Sequence, residues 1–534
     1  MYSMIKTTIP YAETGYFSAL ICDYLQRKET LEAFYHRYPS LENASEQFKE
    51  KTKKYSSTTR EQLVASLQKQ YVGLPTSEAT KKNISALAES NTFTVTTGHQ
   101  LNLFTGPLYF LYKIFSAINL AESLRQKYPE YAFVPVYWMA TEDHDFEEIN
   151  YFNTHGKKMQ WNRNASGPVG RLSTEGLEEV AELFQKEIGS SKNAQQLTTL
   201  FKKAYLDHET LVDATRHIAN ELFKDYGLVI LDGDSADLKT VFAPYMEEEL
   251  LQQTAFSKVT ETTEKLTSLG YQEQVHPREI NLFYIKDGLR ERIVQREDTY
   301  FVLETEIQFS REELKEELKK HPERFSPNAL LRPLYQEVVL PNLCYIGGGG
   351  ELAYWLQLKD YFNAVAVPFP MLLLRNSVLL SSEKIEAKLQ RLNVSTEALF
   401  LPQHELKTKH TKQISEIDID FTPQRKHLQE QFEALYRLAE QTDASFLGAV
   451  GAQEKKQLNG LDHLEKRLLR AQKRKLSEEL ERLTLLQDTL FPNGSLQERS
   501  QNFSELYIEY GTRLLDVLKQ ELDPLVDEFT VLTL

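Results

Sequence analysis

The chain has 534 residues, 62 Lys+Arg against 77 Asp+Glu for a net charge of −15, and 41% hydrophobic with 26% charged residues. This excludes wholesale disorder, and the acidic balance excludes a protein built mainly to coat nucleic acid or an anionic membrane, where a Lys/Arg excess supplies the binding. Two cysteines, Cys22 and Cys344, exclude a disulfide framework or a Cys-rich zinc module and fit a reducing cytosol.

At about 150 residues per domain the length allows three or four structural units. No basic start followed by a clean apolar stretch opens the chain. The longest apolar run, Ala364 to Leu374, is 11 residues and holds two prolines, against the about 20 a membrane helix needs. A cytoplasmic protein without membrane partners is expected. The first ninety residues read as polar helices with turns at Pro39, Pro75 and Thr76. Thr92-Phe93-Thr94-Val95-Thr96 is a strand signal ending at Gly98, and Leu108, Leu111, Phe115 and Ile118 recur at helical spacing after Pro107. Further strands are expected at Phe133–Met139, Leu228–Leu231, Cys344–Ile346 and Ala364–Val367. Short apolar strands alternating with helices predict an α/β chain: a Rossmann-like parallel sheet core over residues 1–385, with insertions at about 155–225 and 270–330.

From Gln424 to Phe491 there is no proline. Leu428, Phe432, Leu435 and Ala439 form one apolar stripe, and Leu461, Leu464, Leu468, Ala471, Leu476, Leu480, Leu483 and Leu490 another. Residues 386–495 are therefore expected to be a helical coiled-coil domain, two long helices broken near Gly448 and Gly451, whose seam pairs with a second copy, the alternative being a hairpin packed on its own core. Residues 496–534 return to the core, the tail Phe529–Leu534 joining its sheet as a strand.

Three turns can carry chemistry. Thr96-Thr97-Gly98-His99 ends the first strand, where ligands of open α/β sheets sit. Glycine there permits close approach of a phosphate, and His99 can stabilise transition-state charge. T/H-x-G-H is similar to the signature of nucleotidyltransferases and class I aminoacyl-tRNA synthetases. Thr141 to Glu148 packs five carboxylates and His144 after the second strand. Asp143, His144 and Asp145 are candidates for amine or hydroxyl recognition or for holding Mg²⁺ beside a nucleotide, and Glu147 and Glu148 are expected to serve a helix N-terminus. Gly347, Gly348, Gly349 and Gly350, followed by Glu351, suggest a backbone-lined substrate or phosphate pocket, with Arg332, Gln336 and Arg375 as anion donors. The acid that a dinucleotide fingerprint requires about 20 residues later is absent, which excludes NAD.

The segments TTGHQLNLFTGPLYFLYK, VPVYWMATEDHDFEEIN, FSPNALLRPLYQEVVLPN, YIGGGGELAYW and LFPNGSLQER together resemble the BshC family, the cysteine-adding enzymes of bacillithiol biosynthesis. The resemblance runs through nearly the whole chain. It implies a Rossmann-like core with two connecting insertions, a coiled coil that promotes homodimerisation, and a ligase joining cysteine to glucosaminyl malate. The expected catalytic residues are His99, Asp143 and His144. Gln100 joins the expected binding residues Thr96, Thr97, Gly98, Asp145, Arg332, Gln336, Gly347–Gly350, Glu351 and Arg375. ATP or ADP is the implied nucleotide, and no metal set is legible. The alternatives are a nucleotidyltransferase-like enzyme of other specificity and a non-catalytic coiled-coil scaffold. The basic run Lys466 to Lys475 reads as a solvated helix face rather than a tRNA contact.

Overall fold

The computed structural model describes residues 5–442 and 444–534. The chain divides into a larger unit, residues 10–378 with 498–530, and a smaller unit, residues 1–9, 379–497 and 531–534.

The larger unit is built on a five-stranded parallel sheet. Its strands are β1 (Thr92–His99), β2 (Ala132–Met139), β3 (Val229–Asp232), β4 (Asn342–Gly347) and β5 (Met371–Leu374), in the order β5-β4-β1-β2-β3. All four pairings are parallel, and both faces are covered, which is why the strands read as continuous apolar runs. From β1 the chain steps outward through β2 to β3, then returns to build β4 on the other side. That reversal puts a crevice between the carboxyl ends of β1 and β4. Helix α1 (Tyr109–Lys127) packs its apolar face over β1 and β2. The fifth strand is Met371–Leu374 and not Ala364–Val367. Ala364 instead closes the helix Lys359–Ala364, and Val365 and Ala366 form its C-terminal turn, with Ala366 at φ 56°.

Between β2 and β3 lies a hairpin, Tyr151–Thr154 with Lys157–Gln160, followed by helices Leu177–Ile188, Lys192–Leu206 and Leu211–Phe223. Between β3 and β4 an antiparallel sheet runs through Leu282–Lys286, Leu289–Arg296, Thr299–Val302, Gln308–Ser310 and Phe325–Pro327. Its helix Arg311–Lys320 starts on a Ser310–Glu313 capping box. Helix α2 (Leu331–Val339) and the short helix α3 (Gly349–Trp355) flank β4.

In the smaller unit α4 (Thr422–Ala439) and α5 (Ala444–Lys475) form a hairpin, and α6 (Ser477–Leu490) follows. The hairpin turns at Glu440–Thr442, not at Gly448 or Gly451. Both glycines lie inside α5, where Gly451 leaves room for Tyr436: a Cβ there would stand 3.2 Å from Tyr436 Oη. The inner seam is Phe432, Ala439 and Val450 with Leu428 and Tyr436, while Leu435 is 41% exposed. Leu480, Leu483 and Leu490 are buried within this unit, so the expected seam does not continue past α5 as one exposed stripe. The tail strand Glu528–Thr533 does not join the parallel sheet. It pairs between Ile5–Pro10 and Val378–Ser381 in a separate three-stranded sheet.

Candidate active site

A cavity of about 530 Å³ opens at the carboxyl ends of β1, β2 and β4. The three residues that end β1 and leave it span this opening. Gly98 faces the β4 side, where a Cβ would stand 3.2 Å from Tyr345 Oη and 3.7 Å from Arg332 NH1. Gln100 reaches the β2 side, donating from Nε2 to Asp143 Oδ2 and Glu148 Oε2, each at 2.9 Å. His99 stands between them.

On the β4 side, Lys113 of α1 is buried and turns back to the strand, donating to the Gly98 carbonyl at 2.7 Å and pairing with Glu351 Oε1. Tyr345 donates to Glu351 Oε2 at 2.5 Å. Burial pulls the Lys113 ammonium below its usual range, while Lys113 and Tyr345 hold the Glu351 carboxyl below its own against the upward push of burial. Arg332 lies over the Tyr345 ring, beside the Tyr354 side chain, and donates from Nη1 to Gln336 at 3.0 Å; its Nη2 is buried and finds no acceptor among the described residues.

His99 is 6% exposed. Burial and the Lys113 charge lower its pKa to about 3, so the ring is neutral at physiological pH. The Thr105 backbone hydrogen-bonds the ring, and Nε2 has no partner among the described residues. A carbonyl only accepts, so the proton is assigned to Nδ1 and Nε2 is a bare acceptor. The loop making that contact is strained: Phe104 (φ 46°), Thr105 (φ 70°) and Gly106 (φ 64°) are all left-handed. It is pinned by Asn502, which donates to the Phe104 and Gly106 carbonyls at 2.8 and 2.6 Å. Strain held from outside in this way is typical of functional loops.

On the β2 side, His144 N donates to Asp143 Oδ1 at 2.8 Å. Burial pushes the Asp143 carboxyl up, but His144, Gln100 and Arg290 outweigh it and hold it well below the usual carboxylate range. Arg290, from the antiparallel sheet, stacks on Phe283 and donates from NH1 to His144 Nδ1 at 2.7 Å, leaving the His144 proton on Nε2. Beneath them the fully buried Lys239 pairs with Glu142 at 2.7 Å and Asp234 at 3.0 Å.

Of the expected residues, Gly98, His99, Gln100, Asp143, His144, Arg332 and Glu351 line this cavity. Thr96 and Thr97 do not. Their hydroxyls donate sideways into the sheet, to Asn342 Oδ1 and the Ile346 carbonyl, both at 2.8 Å. Asp145 caps the turn Phe146–Ile149 that carries Glu147 and Glu148. Gln336 is buried behind Arg332, and Arg375 is in a buried ion pair with Glu498 at 2.7 Å. None of Gly347 to Gly350 lines the cavity. A Cβ on Gly347 would meet Tyr345 and Glu351 at 3.0–3.1 Å, one on Gly349 would meet Ile21 at 3.5 Å, and the Gly348 N–H is turned to Glu351 at 3.4 Å. Gly347 and Gly349 thus stand against protein side chains, while Gly350 has open space around it. Gly98 likewise makes room for the Tyr345 hydroxyl. Sequence reasoning missed Lys113, Tyr109, Tyr345 and Arg290. The one signal for Lys113 was a cation on the otherwise apolar face of α1; Arg290 gave none.

Residues 4–376 match the family model "Bacillithiol biosynthesis BshC, N-terminal Rossmann-like domain", and residues 378–534 match "Bacillithiol biosynthesis BshC, C-terminal coiled-coil domain". The chain belongs to the BshC family. Similar BshC relatives from Christiangramia forsetii and Flavobacterium johnsoniae are 59% and 57% identical, with at least 98% of each chain covered. One from Bacillus cereus is 29% identical over 93% of this chain and 94% of its own. All three are named "Putative cysteine ligase BshC". The division between the two BshC domains at residue 377 falls beside the unit boundary at 378/379.

Proposed function

We propose that the protein is a carbon–nitrogen ligase that joins the carboxyl group of cysteine to the amine of glucosaminyl malate, forming bacillithiol. The observation that carries this reading is the composition of one switch-point cavity. It combines a guanidinium nitrogen without an acceptor, a carboxylate held ionised and a neutral imidazole with a bare nitrogen. Arg332 receives a carboxylate of the malyl group, because a buried N–H without an acceptor is costly until a ligand supplies one. Asp143 is too acidic to take a proton and anchors a substrate ammonium. His99 Nε2 accepts a hydrogen bond from the amine N–H as its lone pair adds to the acyl carbon, orienting it for attack; the acyl–oxygen bond breaks, AMP or phosphate leaves with its electron pair, and the amine proton passes to solvent. His144 Nε2–H is a donor for the acyl oxygen.

Amide formation from a free carboxylate needs an activated acyl group, which transfer of an adenylyl or phosphoryl group from ATP supplies. This chain's own contribution to the step comes from the side chains just named. The exposed leucines of the helical hairpin support homodimerisation, and the two free cysteines support a reducing, cytoplasmic setting.

The test is incubation of purified protein with ATP, cysteine and glucosaminyl malate, following bacillithiol, AMP and ADP by mass spectrometry. Stoichiometric product and nucleotide turnover are expected, with His99→Ala slower by about 10²-fold or more in kcat. Absence of product with every divalent cation tried would overturn the reading.

A further inference from the structure

An unbroken run of buried hydrogen bonds reaches Arg332 from behind the sheet. Lys51, on the helix Ala44–Lys54 and 2% exposed, donates to the Glu337 carbonyl at 2.7 Å and to its Oε2 at 3.3 Å. Glu337 Oε1 accepts from Gln336 Nε2 at 3.0 Å and from Asn342 Nδ2 at 2.6 Å. Asn342 Oδ1 in turn accepts from Thr94 and Thr96 at 3.2 and 2.8 Å. The consequence falls on Gln336, whose amide has one donating and one accepting end. With Nε2 turned to Glu337, Oε1 must face Arg332, and NH1 donates to it at 3.0 Å. Were the amide reversed, its NH₂ would face the guanidinium, donor against donor. Gln336, Glu337 and Asn342 are all 0–1% exposed, so no solvent is at hand to rescue a wrong orientation.

We propose that Gln336, its amide oriented by Glu337, is a positioning residue that fixes the Arg332 guanidinium for a substrate carboxylate. This rests on the anion-binding role of Arg332 given above. Gln336 touches no substrate. It occupies one guanidinium nitrogen so that the other is left for the ligand, and Tyr345 supports the plane. A hydrogen bond to a charged group is worth enough that its loss changes affinity by about tenfold.

The test is a double-mutant cycle of Gln336→Leu and Arg332→Ala, read as the Kd for L-malate by calorimetry and as KM and kcat for glucosaminyl malate. Gln336→Leu is expected to raise both the Kd and KM about tenfold while kcat changes less than twofold. In the Arg332→Ala background it should add less than twofold, because its action passes through the arginine. Glu337→Gln, which frees the amide to reverse, should move the constants in the same direction. If Gln336→Leu fails to fold, Gln336→Met takes its place in the cycle. Effects that multiply, or a Gln336 variant that binds malate as the parent does, would overturn the proposal. Parent protein that binds malate but forms no bacillithiol would overturn the ligase reading alone, since the cycle in Kd still decides the role of Gln336. Parent protein that does neither overturns both.

Discussion

His99 and Glu249 are both buried and both shifted by burial, with opposite consequences for pH. The folded pKa of His99 is about 3, against about 6.5 in an unfolded chain. Between those values the unfolded chain binds a proton that the folded chain does not, so His99 stabilises fully above pH 6.5 and less as pH falls toward 3. His99→Gln should flatten the loss of melting temperature between pH 7 and pH 5; a variant with the parent's slope would contradict a buried neutral ring. Glu249 accepts from Asn281 N and Nδ2 at 2.9 and 2.8 Å, and burial raises its pKa to about 7. Here the folded chain holds the proton, so the contribution is complete below about pH 4.3 and is lost as pH rises through 7. Glu249→Gln should gain melting temperature over the parent at pH 8 and little at pH 5, measured by calorimetry at the two pH values.

Among the secondary-structure elements, the paired ends of β1 and β4 meet in a tight contact. A methyl group on Gly98 stands 3.2 Å from the Tyr345 hydroxyl, which donates to Glu351, which in turn pairs with Lys113. Gly98→Ala should displace Tyr345, destabilise by about 1–3 kcal/mol as overpacking does, and lower kcat/KM; unchanged kinetics would show that the Tyr345–Glu351–Lys113 cluster is structural only. At the end of β3 the buried Lys239 links Glu142 and Asp234. Although burial opposes its charge, the two carboxylates hold the ammonium above the usual lysine range. Lys239→Met removes one side of a buried ionic cluster and should cost about 3–5 kcal/mol in urea unfolding.

For the whole molecule, assembly turns on which leucines the smaller unit keeps for itself. Leu438 and Leu464 are 53% and 54% exposed, with Leu435 and Leu447 at 41%, an apolar surface that one hairpin leaves uncovered. Light scattering is expected to give twice the 61.9 kDa chain mass, and Leu438→Glu with Leu464→Glu to give the single mass with the larger unit still folded. Leu480 is 5% exposed and packs within its own unit, so Leu480→Glu should unfold that unit instead of separating two copies.

The alternation of short apolar strands with helices, and the 3.6-residue stripes of the C-terminal third, are local patterns, and the amino-acid order by itself determined them. It fixed four of the five parallel strands, the two insertions and the helical hairpin, and it put His99, Asp143 and His144 at strand ends. Tertiary structure decided what those patterns could not carry. Residues 364–367 and 371–374 are equally apolar, and only pairing beside β4 selects Met371–Leu374 as the strand. Gly347 to Gly350 read as an anion cradle because glycine permits close approach. At Gly347 and Gly349 tertiary structure brings up Tyr345, Glu351 and Ile21, side chains from the same strand, the next helix turn and a helix more than 300 residues earlier. Lys113 and Arg290 enter the cavity from elements with no local mark of function, because a side chain's neighbours across the chain are set by packing and not by spacing.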